Sequence, residues 1–138
     1  MAQAFDVVRE FDRPAGEVWG QLTDWDRAAG WLGVDSIRAE GPTTVGTALV
    51  FRARGKERRS EIAALDPGRS ITLRSRQGGV TADYTYTVES AGTGSRATLA
   101  VDVRVTGIWT LLGPVIRGAI RRQDSGQLDE LARTMAKR

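Results

Sequence analysis

The stretch from Pro114 to Lys137, PVIRGAIRRQDSGQLDELARTMAK, limits what this chain can fold into more than any other part of it. It is the only run with sustained helical periodicity. At about 100° per residue, Ile116, Ile120, Gln127, Leu128, Leu131 and Met135 share one arc, and arginines and lysines occupy much of the rest. Gly113 fits the N-cap, and Pro114 fits the first helical position, where the amide that proline lacks would have no helical partner. Some two dozen residues at about 1.5 Å rise make a rod of about 35 Å, long enough to cross a small domain. Upstream of Leu112 the chain reads as short strands and turns, so the pattern predicts one long C-terminal helix held by a curved sheet.

A chain of 138 residues favours a single domain, 1–138, able to bury about two thirds of its unfolded surface. Its 41% hydrophobic and 27% charged residues match a soluble globular protein rather than a disordered one. Cysteine and histidine are both absent. That excludes disulfides, a zinc site of the usual ligands, a thiol nucleophile and a Ser-His-Asp triad, and leaves carboxylates, Arg, Lys, Tyr, Ser and Thr to carry any chemistry. No cofactor or metal is expected.

Met1 to Glu10 lacks the basic and apolar regions of a signal peptide. The longest apolar stretch, Ile108 to Ile120, is interrupted by Gly113, Pro114, Arg117 and Gly118, so no membrane insertion is expected and a cytoplasmic location is. The net charge of +3, from 20 basic and 17 acidic residues, is too small to imply a nucleic-acid partner.

Along the chain, Gln3 to Phe11 alternates as a half-buried strand, with Phe5, Val7 and Phe11 on one face and Asp6 and Glu10 on the other. Pro14 opens a short helix with Val18, Trp19 and Leu22 on its apolar side. Asp24 can cap a second, holding Trp25, Ala28 and Ala29 and stopping near Gly30 and Gly33. Strands are then expected at Val34 to Glu40, Thr47 to Arg54, Glu57 to Leu65, Ser70 to Gln77, Val80 to Glu89 and Arg96 to Thr106. Between them lie Gly41-Pro42, Gly55, Asp66-Pro67-Gly68 and Gly78-Gly79, the last reading as a type I′ hairpin turn, and then the loop Ser90 to Gly94. Short strands joined by short turns predict an antiparallel meander of about seven strands.

Alternation assigns the faces. Leu49, Phe51, Ile62, Ala64, Ile71, Leu73, Val80, Ala82, Tyr84, Tyr86, Val88, Leu99, Val101, Val103 and Val105 share an apolar face. Arg52, Arg54, Arg59, Glu61, Arg74, Arg76, Asp83, Glu89, Asp102 and Arg104 lie opposite, as a solvated surface with mixed charges.

The order of strand, two short helices, meander and long helix resembles the α+β helix-grip fold of the Bet v 1/START-like superfamily, also called SRPBCC, which includes bacterial polyketide cyclases and lipid-transfer domains. The resemblance is carried by FDRPAGEVWGQLTDWDRAAGWL, Phe11 to Leu32, and by LLGPVIRGAIRRQDSGQLDEL, Leu111 to Leu131. It covers essentially the whole chain and implies a cavity between the sheet and the C-terminal helix. The superfamily has no common catalytic motif, so the resemblance is specific for fold and not for function.

Within such a cavity Trp25, Trp31, Tyr84, Tyr86 and Trp109 are candidates to stack an apolar ligand, with the aliphatic and aromatic wall Leu49, Phe51, Ile62, Leu73, Val101, Val103, Ile116 and Ile120 around it. The alternative for each is a plain core residue. Arg9 falls in phase with Phe5, Val7 and Phe11; it either meets an acidic or carbonyl group of a ligand or snorkels at the sheet edge. Asp124 falls inside the apolar arc of the long helix. It is released by a kink at Ser125-Gly126, pairs with Arg9, or faces the cavity with its pKa raised; the last is the preferred reading. Asp124, Arg9 and Tyr84 are thus the candidates for any catalysis.

The expectation is a monomer or weak homodimer that binds an apolar small molecule, polyketide-, lipid- or aromatic-like. Two further readings stay open: a polyketide aromatase/cyclase-like enzyme, in which a cavity Arg, Tyr and Asp steer ring closure, and a toxin-like or stress-response interaction protein.

Overall fold

A computed structural model describes residues 2–107 and 112–136. Seven strands form one antiparallel sheet: β1 (Ala2–Phe11), β2 (Ser36–Ala39), β3 (Ala48–Ala53), β4 (Lys56–Asp66), β5 (Ser70–Gln77), β6 (Val80–Ala91) and β7 (Gly94–Val105). Their spatial order is β1-β7-β6-β5-β4-β3-β2, so the meander runs in sequence order and β1 closes against its last strand. Between β1 and β2 come α1 (Ala15–Leu22), a 3₁₀ turn (Trp25–Arg27) and the single-turn helix α2 (Ala29–Leu32). The chain ends with α3 (Gly113–Asp124) and α4 (Gln127–Ala136). Among the described residues no helix is long and apolar enough to cross a membrane.

The alternation does what the sequence asks of it. Leu49, Ile62, Ile71, Tyr86, Leu99, Val101 and Val103 are essentially inaccessible, and Leu128, Leu131 and Met135 of α4 close over the same core with Val18, Leu22 and Trp31. On the opposite face charges pair across strands: Arg74 grips Asp83 with two hydrogen bonds of 2.7 and 2.9 Å, Arg76 meets Glu61, and Arg96 reaches both Glu10 and Glu89.

Several local expectations are corrected. The long C-terminal helix is present as α3 and α4 together, and Ser125 and Gly126, both poor helix formers, interrupt it. Its N-cap is Leu112 rather than Gly113, which is already helical, with Pro114 in the first turn. Asp24 makes no capping hydrogen bond and instead sits 4.0 Å from Arg27, so the expected second helix divides into the 3₁₀ turn and α2. Gly33 does end α2, at φ 77°. The first meander strand is shorter than expected, only Ser36–Ala39. In the Gly78-Gly79 turn only Gly78 has positive φ, the pattern of a type II′ turn; the type I′ pattern belongs to Arg54-Gly55, at φ 54° and 77°.

A register shift between Ile62 and Ala64 places an extra residue in β4. Beyond it the strand is out of phase, so Leu65 packs on the core while Ala64 is exposed, against its expected place on the apolar face. At the other end of the sheet, the β6–β7 turn presses against the end of β1. A Cβ on Gly94 would collide with the Phe11 carbonyl oxygen, and the buried Ser95 hydroxyl donates to the Arg13 carbonyl at 2.8 Å.

Candidate functional site

The concave face is built of rungs. Ile71, Tyr86 and Leu99 are register partners at one level; Ile62, Leu73, Tyr84 and Val101 at the next; then Ser60, Ser75, Ala82 and Val103; and finally Gln77 opposite Val80, with Phe51 opposite Arg58 on the neighbouring strands. Each step is two residues, about 7 Å along the strand. Helix α3 rests on β1 and β7, and α4 packs on α2, α1 and the same two strands. The helices thus cover one side of the concavity, and strands β3 to β6 enclose space on the other.

That space is a cavity of about 650 Å³. Its walls are Phe51, Ala53, Leu73, Val80 and Ala82 from the sheet, Ile116 and Ile120 from α3, and Leu32, Gly33, Val34 and Ile37 from the segment after α1. Arg54, Arg58, Gln77 and Gly78 line it at the end formed by the β3–β4 and β5–β6 turns, and Ser60 and Ser75 lie one rung in. Tyr84, Tyr86, Asp124 and Gln127 form the other end.

A hydrogen-bonded chain of four side chains makes that floor. Tyr86 Oη donates to Gln127 Oε1 at 2.5 Å, Gln127 Nε2 donates to Asp124 Oδ1 at 3.4 Å, and Tyr84 Oη donates to Asp124 Oδ2 at 2.5 Å. Asp124 is the last residue of α3 and Gln127 the first of α4, so the floor straddles the helix break. Burial pushes the Asp124 carboxyl above its ordinary value of 3.8, and the hydrogen bonds from Tyr84 and Gln127 oppose that rise without cancelling it. Burial and then the facing Asp124 charge push both phenols well above the usual tyrosine value. The group is therefore an acceptor when Asp124 is ionised and a donor when it is protonated, held in place by the Tyr84 phenol and by the Gln127 amide, which Tyr86 holds in turn.

The sequence candidates divide. Phe51, Leu73, Tyr84, Tyr86, Ile116, Ile120 and Asp124 all line the cavity. Leu49, Ile62, Val101 and Val103 do not; they point to the concave side but are sealed in the core, because alternation fixes a face and not its distance from the helices. Trp25 and Trp31 are also core. Trp25 Nε1 donates to Thr43 Oγ1 at 3.1 Å, and Trp31 sets its ring edge-on to Tyr86 with centroids 5.6 Å apart. Trp109 lies outside the described residues.

Of the two readings of Arg9, the structure fits the one at the sheet edge and not the one in the cavity: it is half exposed and pairs with Asp129 of α4 at 2.9 Å, bridging the sheet edge to the helix. It is not Asp124's partner. The helix does break at Ser125-Gly126, yet Asp124 still lines the cavity.

Sequence reasoning missed Arg54, Arg58, Ser60, Ser75, Gln77 and Gln127. Counting back by twos from Ile62 brings Ser60 and Arg58 to the inner face, and Gln127 is an amide on an otherwise apolar helix arc. Arg54, assigned to the outer face, reaches the cavity because its positive φ turns the chain at the hairpin tip.

No curated protein matches the chain. Solved structures share its fold. TTHA0849 from Thermus thermophilus is 19% identical, with 93% of each chain covered and a TM-score of 0.71. Ara h 8.0201 is 18% identical over 97% of each chain, with a TM-score of 0.71. Norcoclaurine synthase from Thalictrum flavum is 16% identical over 97% of this chain and 86% of that one, with a TM-score of 0.69. These likenesses place the chain in the Bet v 1/START-like fold. The sequence itself matches, over residues 2–136, the profile of the family described as polyketide cyclase / dehydrase and lipid transport, and the chain belongs to that family.

Proposed function

We propose that the protein binds one apolar small molecule in the cavity and orients it through a polar group set against Asp124 and Tyr84. The observation that carries this reading is the floor itself. A carboxylate more than half withdrawn from water is retained among aliphatic and aromatic walls, where an apolar residue would be easier to bury. Tyr84 and Gln127 each donate one hydrogen bond to Asp124, whose carboxylate can accept more, and Asp124 lines the cavity.

The neutral dye N-phenyl-1-naphthylamine, which brightens in apolar surroundings, tests the cavity. Binding is expected with Kd on the order of 1 μM, about −8 kcal/mol. Ile120→Trp, which fills the space between α3 and Tyr84, should abolish it while leaving the fold intact. Undiminished binding to that variant would refute the cavity as the site.

A second reading draws on the same carboxyl. A raised pKa beside a phenol is what an acid–base catalyst of ring closure or dehydration needs, and one structural neighbour is named as a synthase. Turnover lost in Asp124→Asn with dye binding retained would favour it; dye binding and no turnover on aromatic polyketide precursors would favour a carrier. The interaction-protein reading draws less support, since the cavity is not collapsed and, among the described residues, the exposed large apolar side chains Val8, Val45, Leu112 and Val115 fall in three regions of the chain.

A further inference from the structure

The cavity is polar at both ends and mainly apolar between them, with Ser60 and Ser75 one rung in, and its two ends differ in charge. Arg58 enters the wall from β4 at the level of Phe51, and Arg54 from the hairpin tip four residues earlier. Neither has a hydrogen-bond or ion-pair partner among the described residues, whereas the outward arginines of the same strands are engaged: Arg52 with the Gly55 carbonyl and Arg59 with Glu40. Arg58 is half-buried, so its guanidinium is partly withdrawn from water without a counter-charge.

Arg54 adds a second and independent observation. It is the only non-glycine residue with positive φ among the described residues, at 54°, in a hairpin position where Gly or Asn is the unstrained choice. A strained backbone that presents a cation to a cavity is a reason to look for an anion there.

From these residues we infer that the bound molecule is an amphipathic anion: a carboxylate at Arg54 and Arg58, an apolar body along Phe51, Leu73 and Ile120, and its far end at Tyr84 and Asp124. This rests on the cavity-binding reading above. Val80, at the level of the arginines, is four residues from Tyr84 on β6, about 13 Å, which sets the length of the body. The carboxylate is favoured over a spherical anion because two guanidinium forks match its planar oxygens. Asp124 at the opposite end also repels a carboxylate entering in the reverse direction.

The test compares dodecanoate with dodecanol, equal in chain length and different in head group, by displacement of the neutral dye. The parent protein should bind dodecanoate about tenfold more tightly than dodecanol, the margin of a charge-assisted pair. Arg58→Gln should erase that margin, weakening dodecanoate about tenfold and dodecanol less than twofold. Arg54→Gly, which relieves the strained turn and so keeps the fold, should also narrow it, and added salt should weaken dodecanoate alone. Equal affinity of the parent for both probes, or equal losses in Arg58→Gln, would overturn the anion assignment and leave the cavity reading standing. Dye binding with displacement by neither probe would likewise overturn it. Failure of the dye and both probes to bind would overturn the cavity reading and the inference together.

Discussion

Tyr84 on β6 and Asp124 at the end of α3 are 40 positions apart in sequence, and their side-chain oxygens meet at 2.5 Å, tying the sheet to the helix across the cavity floor. The bond fixes where a charge can sit inside an apolar space. It also makes the floor sensitive to pH and to single-atom changes.

Asp124 carries the pH prediction. Its pKa in the folded protein lies above the value in the unfolded chain, so its contribution to stability is fully present below about 3.8 and is lost as pH rises through the folded value. Asp124→Asn lacks that loss. Urea midpoints measured from about pH 4 to pH 7 should therefore diverge, with the variant gaining on the parent as pH rises. Parallel profiles would show that burial does not dominate at this carboxyl.

The two phenols differ in what they leave behind. Tyr84→Phe removes one of two donors to Asp124 and should destabilise by about 1 kcal/mol while raising the Asp124 pKa further. Tyr86→Phe strands the buried Gln127 oxygen and should be worse, about 2 kcal/mol. In alkaline ultraviolet titration of the parent, neither phenol should ionise before the protein unfolds.

Gly94 is replaceable by nothing larger. Gly94→Ala drives a methyl group into the Phe11 carbonyl and should cost about 3 kcal/mol, read as a fall in Tm. Gly92, two residues away, has open space and only its φ of 60° to lose, so Gly92→Ala should cost about 1 kcal/mol. Similar losses at both would mean the turn yields to the clash.

Arg54 predicts the opposite sign. Arg54→Gly should stabilise by about 0.5–1 kcal/mol in denaturant unfolding, because the left-handed conformation is free for glycine and strained for arginine. Destabilisation would show that the side chain contributes to the fold.

Much of this was legible in the chain. The element order, the inner and outer faces and the anomaly of Asp124 on an apolar arc all follow from periodicity, which reports local geometry faithfully. What periodicity lacks is distance across the fold. It places Leu73 and Leu49 on the same face but not at different depths, so core residues such as Leu49 and Val101 look like cavity wall. It also fails where phase slips: the extra residue before Ala64 inverts the end of β4, and charge leads the eye away from Arg58, which the count from Ile62 puts inside. Arg9 shows the remaining gap, since its phase was right and only the position of Asp129 on α4 decides that it ends in an ion pair.

The break at Ser125-Gly126 gives the two halves of the C-terminal helix different duties. Helix α4 is nailed down by Leu128, Leu131 and Met135, each nearly inaccessible, whereas α3 offers Ile116 and Ile120, which are only partly covered. The joint stands at the floor, with Asp124 on one side and Gln127 on the other, and is the expected fulcrum for any tilt of α3. Guests of different girth in the cavity are therefore expected to be met by a change in the tilt of α3, with α4 and the core it closes keeping their places.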